Sequence, residues 1–99
     1  DMLNYNEAVN LYSRAIDINP DSKESYYNLG FCFMQLEDYQ IAISYFTSAI
    51  NLDSSFLLAY HARAYLYNLI GDKEKSSSDW KNCLMLSPSY RPAIEALSN

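Results

Sequence analysis

Few residues in this chain have the chemistry of a catalyst. His61 is its one histidine, and Cys32 and Cys83 are its two cysteines. A Cys/His zinc site needs four donors, and three are too few. No glycine-rich phosphate loop, His-Glu-x-x-His pair or Gly-x-Ser-x-Gly elbow occurs. Cys32 and Cys83 fall in stretches of helical spacing, where a buried thiol acts as a small apolar group. One pair could form at most one bridge, which is no disulfide framework. Glu37 and Asp38 adjoin at a break between two helical runs and read as solvated capping carboxylates. Ser76-Ser77-Ser78 has two readings, a weakened helix or a phosphorylation site. No catalytic residue, no metal site and no cofactor is expected.

The composition narrows the classes that remain. The chain has 99 residues, 49% of them hydrophobic and 19% charged. That is enough apolar material for one folded domain and too little charge for a disordered chain. The formal net charge is -5, without the basic footprint of a nucleic-acid binder or a membrane-surface helix. No apolar run approaches the roughly 20 residues of a membrane span. The start, Asp1-Met2-Leu3-Asn4-Tyr5, lacks the basic and apolar regions of a secretory signal. The compartment stays open, with the cytoplasm as the default. Two glycines and three prolines are too few for a turn-rich β domain and favour helices on short connections. Ten tyrosines read first as helix-packing residues, with contact surface as the alternative.

The chain matches itself at an offset of 34 residues. Ala8 falls on Ala42 and Ser76, Tyr12 on Phe46 and Trp80, and Ala15 on Ala49 and Cys83. Pro20 falls on Ser54 and Pro88. Tyr26 falls on Tyr60, Gly30 on Ala64 and Ser98, and Phe33 on Tyr67. Small residues face small and aromatics face aromatics, except that Leu29 falls on Arg63. Within a unit, Tyr26, Leu29, Gly30 and Phe33 share one helical face, as do Ala42, Phe46 and Ala49. The spacing predicts five helices and the start of a sixth, over 5–18, 22–36, 39–52, 56–70, 73–86 and 90–98. Asn4 (with Glu7), Asp38 and Asp72 are the expected caps, Asp21-Ser22 and Ser54-Ser55 supply others, and Gly71 suits a left-handed helix end. Short connections make neighbouring helices antiparallel, and alternating small and large columns let units stack. The third unit, with Arg63 in the core column and three serines in its second helix, is expected to be the looser one.

These columns resemble the tetratricopeptide repeat. The pattern stands here as Tyr26-x-x-Leu29-Gly30-x-x-Phe33, then Ala42-x-x-x-Phe46-x-x-Ala49, with Ser54 in place of Pro. The next unit reads Tyr60, Arg63-Ala64, Tyr67, Ser76, Trp80, Cys83, Pro88. The resemblance implies an all-α fold of helix-turn-helix units stacked as a right-handed superhelical solenoid. It divides the chain into helix B of a first unit (5–20), a second unit (23–54), a third unit (57–88) and the start of a fourth unit or a capping helix (90–99). The cuts fall inside repeats, so a piece of a longer protein is expected.

The resemblance also implies a concave groove lined by the A helices, which binds a partner peptide. Its positions here are Glu24, Tyr27, Asn28, Phe31, Met34 and Gln35 in the second unit. In the third they are Leu58, His61, Ala62, Tyr65, Asn68 and Leu69. Co-chaperone members grip the terminal carboxylate of Hsp70 or Hsp90 with Lys, Arg and Asn. Asn28 matches the central Asn, but Leu58 and Ala62 stand where the cations belong, and Arg63 is one residue off. A carboxylate clamp is therefore not expected within these residues. The expected function is protein–protein interaction through an aromatic, weakly polar groove. The alternatives are a structural segment of a longer solenoid and a regulatory or targeting segment of a larger enzyme. Apolar residues at the two ends, Tyr5, Val9, Tyr12 and Ile16 at one and Ile94 and Leu97 at the other, further imply self-association by stacking or helix exchange.

Overall fold

The computed structural model describes the backbone of residues 2–98 and the side chains of residues 4–98. Asp1 and Asn99, included in the first and last units above, lie outside the described residues. Six helices occur among the described residues: α1 (Met2–Ile18), α2 (Lys23–Gln35), α3 (Tyr39–Leu52), α4 (Leu57–Leu69), α5 (Lys73–Leu86) and α6 (Arg91–Ser98). Each packs on the next, and α2 also touches α4. In the division that the resemblance implies, α1, α3 and α5 would be B helices and α2, α4 and α6 A helices. The result is an all-α stack of tetratricopeptide-like units, elongated to 39 × 25 × 18 Å.

The small and aromatic columns meet as the spacing requires. Leu29, Gly30, Ala42, Phe46 and Ala49 are all buried. A Cβ built on Gly30 would lie 2.8 Å from the Phe46 ring, so the small residue on α2 makes the space that the aromatic on α3 fills. One apolar cluster gathers α3 and α4 around Phe46, Ile50 and Leu66. A second joins α4, α5 and α6 through Ala64, Trp80, Cys83 and Ala93. Tyr60 packs against both. Both thiols are free and buried. Burial pushes the Cys32 thiol up. Burial, then the Asp79 charge, pushes Cys83 up to about 11. Neither is a thiolate at neutral pH, which fits inert packing residues.

Several local expectations are corrected. α1 already runs from Met2, so Asn4 sits within the helix and is not its cap. Asp38 occupies the N-cap position of α3 but makes no side-chain cap bond. Ser22 and Asp72 do cap, accepting from the Ser25 and Lys75 amides. Ser54 and Ser55 do not cap α4: its N-cap position is Phe56, without a side-chain cap bond. Asp53 instead accepts from the Ser55 amide and pairs with Lys23. Gly71 adopts φ 88°, and Glu37, one repeat earlier, adopts φ 63°. A non-glycine residue thus takes the left-handed position that closes an A helix.

The two features expected to loosen the third unit are both accommodated. α5 runs unbroken through Ser76-Ser77-Ser78, and the buried Ser76 hydroxyl donates to the Ala64 carbonyl at 2.7 Å. That bond ties α5 to α4 and leaves no buried hydroxyl unsatisfied. Arg63 does replace a core leucine, but its guanidinium forks onto Asp79, with Nε to Oδ2 at 2.7 Å and Nη2 to Oδ1 at 2.8 Å. Nη1 donates to Thr47 Oγ1 at 3.0 Å. The Tyr60 and Tyr67 rings lie 5.8 and 5.9 Å from the guanidinium carbon. The Asp79 hydrogen bonds hold the Arg63 pKa above its ordinary value, against the opposing effect of burial.

Candidate peptide-binding groove

The helical period sets which residues of α2 and α4 share a face. On α2, Tyr27, Phe31 and Met34 follow one another a turn apart. On α4, Leu58, then the neighbours His61 and Ala62, then Tyr65 are spaced about a turn apart. α2 and α4 touch only slightly, and these seven side chains surround one open recess of about 320 Å³ between them. That volume is at the lower end for ligand sites. No charged side chain lines it. Phe31 is 40% exposed, Leu58 52% and Tyr65 50%, so the apolar walls face solvent.

The other implied groove residues divide. Gln35 and Leu69 line an adjoining recess with Glu37 and Tyr39, continuous with the first through Met34 and Tyr65. Glu24, Asn28 and Asn68 line neither recess. Glu24 and Asn68 are exposed, while Asn28 is half-buried. Sequence reasoning did not place Glu37 and Tyr39 here. They belong to the turn after α2 and the start of α3, and A-helix spacing alone does not reach them.

The recess is built on fixed side chains. The Tyr27 ring meets Phe46 edge-on at 5.5 Å and Phe56 at 5.2 Å, and burial pushes its hydroxyl pKa up. Phe31 meets the edge of Tyr5 from α1 at 6.4 Å. His61 packs edge-to-face on Trp80 at 4.9 Å, and its Nδ1 shares a hydrogen bond with the Tyr90 hydroxyl. Burial holds the His61 pKa below its ordinary value, so the ring is neutral at neutral pH. Tyr5, Trp80 and Tyr90 support the groove from three other parts of the chain. Among the described residues no three His, Cys, Asp or Glu side chains cluster as a metal site would need.

Comparison with known proteins adds the family. A family model for the TPR repeat matches residues 4–37, and one for the tetratricopeptide repeat matches residues 24–56. This chain belongs to the tetratricopeptide-repeat family. Serine/threonine-protein phosphatase 5 of Rattus norvegicus is 28% identical over 90% of this chain and 18% of the relative. A UDP-N-acetylglucosamine–peptide N-acetylglucosaminyltransferase of Giardia intestinalis is 35% identical over 76% of this chain and 5% of its own length. This repeat chain therefore spans less than a fifth of these curated relatives. Among solved structures, the Arabidopsis OM64 TPR domain superposes with a TM-score of 0.89 at 27% identity, covering 96% of this chain and 78% of that one. The second TPR domain of human RPAP3, in complex with an HSP70 peptide, superposes with a TM-score of 0.88 at 26% identity, covering 95% and 78%. The expectation against Hsp tails gains no support from that likeness and rests on this chain's own groove residues. Among the described residues no helix is long and apolar enough to cross a membrane.

Proposed function

We propose that the recess between α2 and α4 binds a partner protein through a peptide or helix with an apolar anchor. The observation that carries this reading is the lining itself. Seven side chains from two A helices, none charged, surround one open recess. Exposed aromatic and aliphatic residues grouped on one face mark contact surfaces in monomers. The HSP70-peptide complex of the similar RPAP3 domain supports peptide binding as the activity of such a domain. The apolar Leu58 and Ala62, together with the absence of any lining cation, favour an apolar ligand over a terminal carboxylate.

The test is selection of a random displayed-peptide library on this chain, followed by calorimetric titration of the selected peptides and of the HSP70 peptide SGPTIEEVD. Selected peptides should share an apolar anchor and bind with little dependence on salt. Phe31→Ala or Tyr65→Ala should weaken them by about 1–3 kcal/mol, as for hot-spot aromatics. Tight, steeply salt-dependent binding of SGPTIEEVD would overturn the apolar reading.

A second reading, that the repeats target or regulate a larger enzyme, is favoured by the phosphatase and the transferase among the relatives. Sequencing the full transcript tests it, and a full-length product without a catalytic domain would refute it.

A further inference from the structure

The groove contains a group whose direction is set from behind. Most of its lining is hydrocarbon, contributed by Phe31, Met34, Leu58 and Ala62. His61 differs. Its ring rests against Trp80 of α5, and its Nδ1 shares a hydrogen bond with the hydroxyl of Tyr90, which stands just before α6. That leaves Nε2 as the remaining polar atom of the ring. Among the described residues no group is seen to pair with Nε2, and no buried side-chain nitrogen or oxygen lacks a partner. Nε2 therefore reaches solvent, from a side chain that lines the recess.

Which ring nitrogen carries the proton depends on which partner of this bond donates. A phenol that donates to Nδ1 finds an acceptor for its hydrogen and leaves the imidazole proton on Nε2. The opposite arrangement would point Nδ1–H at the phenol oxygen and turn the Tyr90 hydrogen, on a partly exposed ring, to water. With the phenol donating, the recess offers an N–H donor from His61, in a lining that also holds the Tyr27 and Tyr65 phenols and has no cation. A carboxylate seated there would lose its hydration without gaining a counter-charge, and an ammonium would find no anion in the lining, Glu37 standing in the adjoining recess. A peptide carbonyl costs far less to desolvate and can accept from Nε2–H. The recess volume of about 320 Å³ suits one large side chain and its adjoining backbone.

We propose that His61, held as its Nε2–H tautomer by Tyr90, is the specificity-determining donor of the groove. The occupant is then an uncharged peptide segment that fills the recess with an apolar side chain and gives a carbonyl oxygen to Nε2–H. This inference rests on the groove reading above. Tyr90 is a positioning residue that acts through His61. The coupling also links ligand binding to the seating of the turn before α6.

The experiment uses the whole chain labelled with ¹⁵N. Long-range ¹H–¹⁵N correlation of the His61 ring reads the tautomer directly. The Nε2–H form should dominate at neutral pH, and Tyr90→Phe should give a mixture. A dominant Nδ1–H form in the wild-type chain would overturn the proposal. Binding is read from amide shifts with three capped pentapeptides, acetyl-Ala-Ala-Xaa-Ala-Ala-amide, with Phe, Lys or Glu at the centre. The Phe peptide should bind about tenfold or more tightly than the charged two. His61→Phe keeps the wall apolar but removes the donor, and should weaken the Phe peptide about 3- to 10-fold. His61→Gln, which keeps an N–H donor, should recover part of that loss. If Phe31→Ala weakens binding and His61→Phe does not, His61 is not the donor while the groove reading survives. If no peptide shifts groove amides in the wild-type chain, both readings fail. Should His61→Phe not fold, the wild-type tautomer and His61→Gln binding decide the matter.

Discussion

Arg63 and Asp79 offer a sharp perturbation, because each is buried against the other where the repeat pattern expects apolar packing. Their side chains are 16% and 3% exposed, and the fork is bidentate. Removing one partner of such a pair strands a charge and costs about 3–5 kcal/mol. Arg63→Leu restores the family's core residue yet leaves the Asp79 carboxylate with only Asn82 Nδ2, at 3.4 Å, so it should cost the upper part of that range. Asp79→Leu should cost less, because Arg63 keeps its Thr47 bond, its two tyrosine rings and some solvent. The double variant replaces the pair by hydrocarbon and should lie between unchanged and a few kcal/mol more stable than the wild-type chain. A domain of this size has about 5–15 kcal/mol in total, so either single change removes a large share of it. Urea denaturation followed by far-UV circular dichroism measures all four proteins, with the slope on denaturant expected to hold constant. The singles should sum to far more than the double, which is the signature of direct coupling. Single losses below about 1 kcal/mol, or a double variant as unstable as that sum, would refute the reasoning.

Other outcomes follow from the packing and the local geometry. Phe46→Ala should cost about 3–5 kcal/mol by the same denaturation assay, as for a buried aromatic. Gly30→Ala should cost about 1–3 kcal/mol, because its Cβ lands 2.8 Å from that ring and overpacks the α2–α3 contact. Glu37→Gly should raise stability by about 1 kcal/mol, since φ 63° strains any residue with a Cβ. His61 has its folded pKa lowered by burial from 6.5, so the unfolded chain binds the extra proton first. The stability His61 contributes is therefore complete above pH 6.5 and is lost as pH falls through its folded value. Denaturation across that window should show the fall, and His61→Gln should flatten it.

The helices, their order and the face each turns to its neighbour were legible in the residues alone. Ala42, Phe46 and Ala49, or Tyr26, Leu29 and Gly30, lie on one side of a helix by the 3.6-residue period whatever surrounds them. A repeat that recurs in phase allows few ways of stacking such faces. The family resemblance, not the period alone, implied the groove positions, and seven of them, Tyr27, Phe31, Met34, Leu58, His61, Ala62 and Tyr65, line one recess. It was less informative for Glu24, Asn28 and Asn68, which share the helices but miss both recesses. A difference of part of a turn changes what a side chain reaches.

Pairing between elements was decided only by the tertiary structure. Arg63 looked like a flaw in its column until α5 placed Asp79 opposite it. His61 looked like one more lining residue until the chain before α6 set Tyr90 against its ring. Capping was redistributed in the same way, with Asp53 drawn to Lys23 and the Ser55 amide, and Asp38 left without a cap bond. Periodicity is a property of one helix and is written in its own residues. A hydrogen bond across helices depends on two rotamers and the distance between two axes, which exist only once the units have stacked.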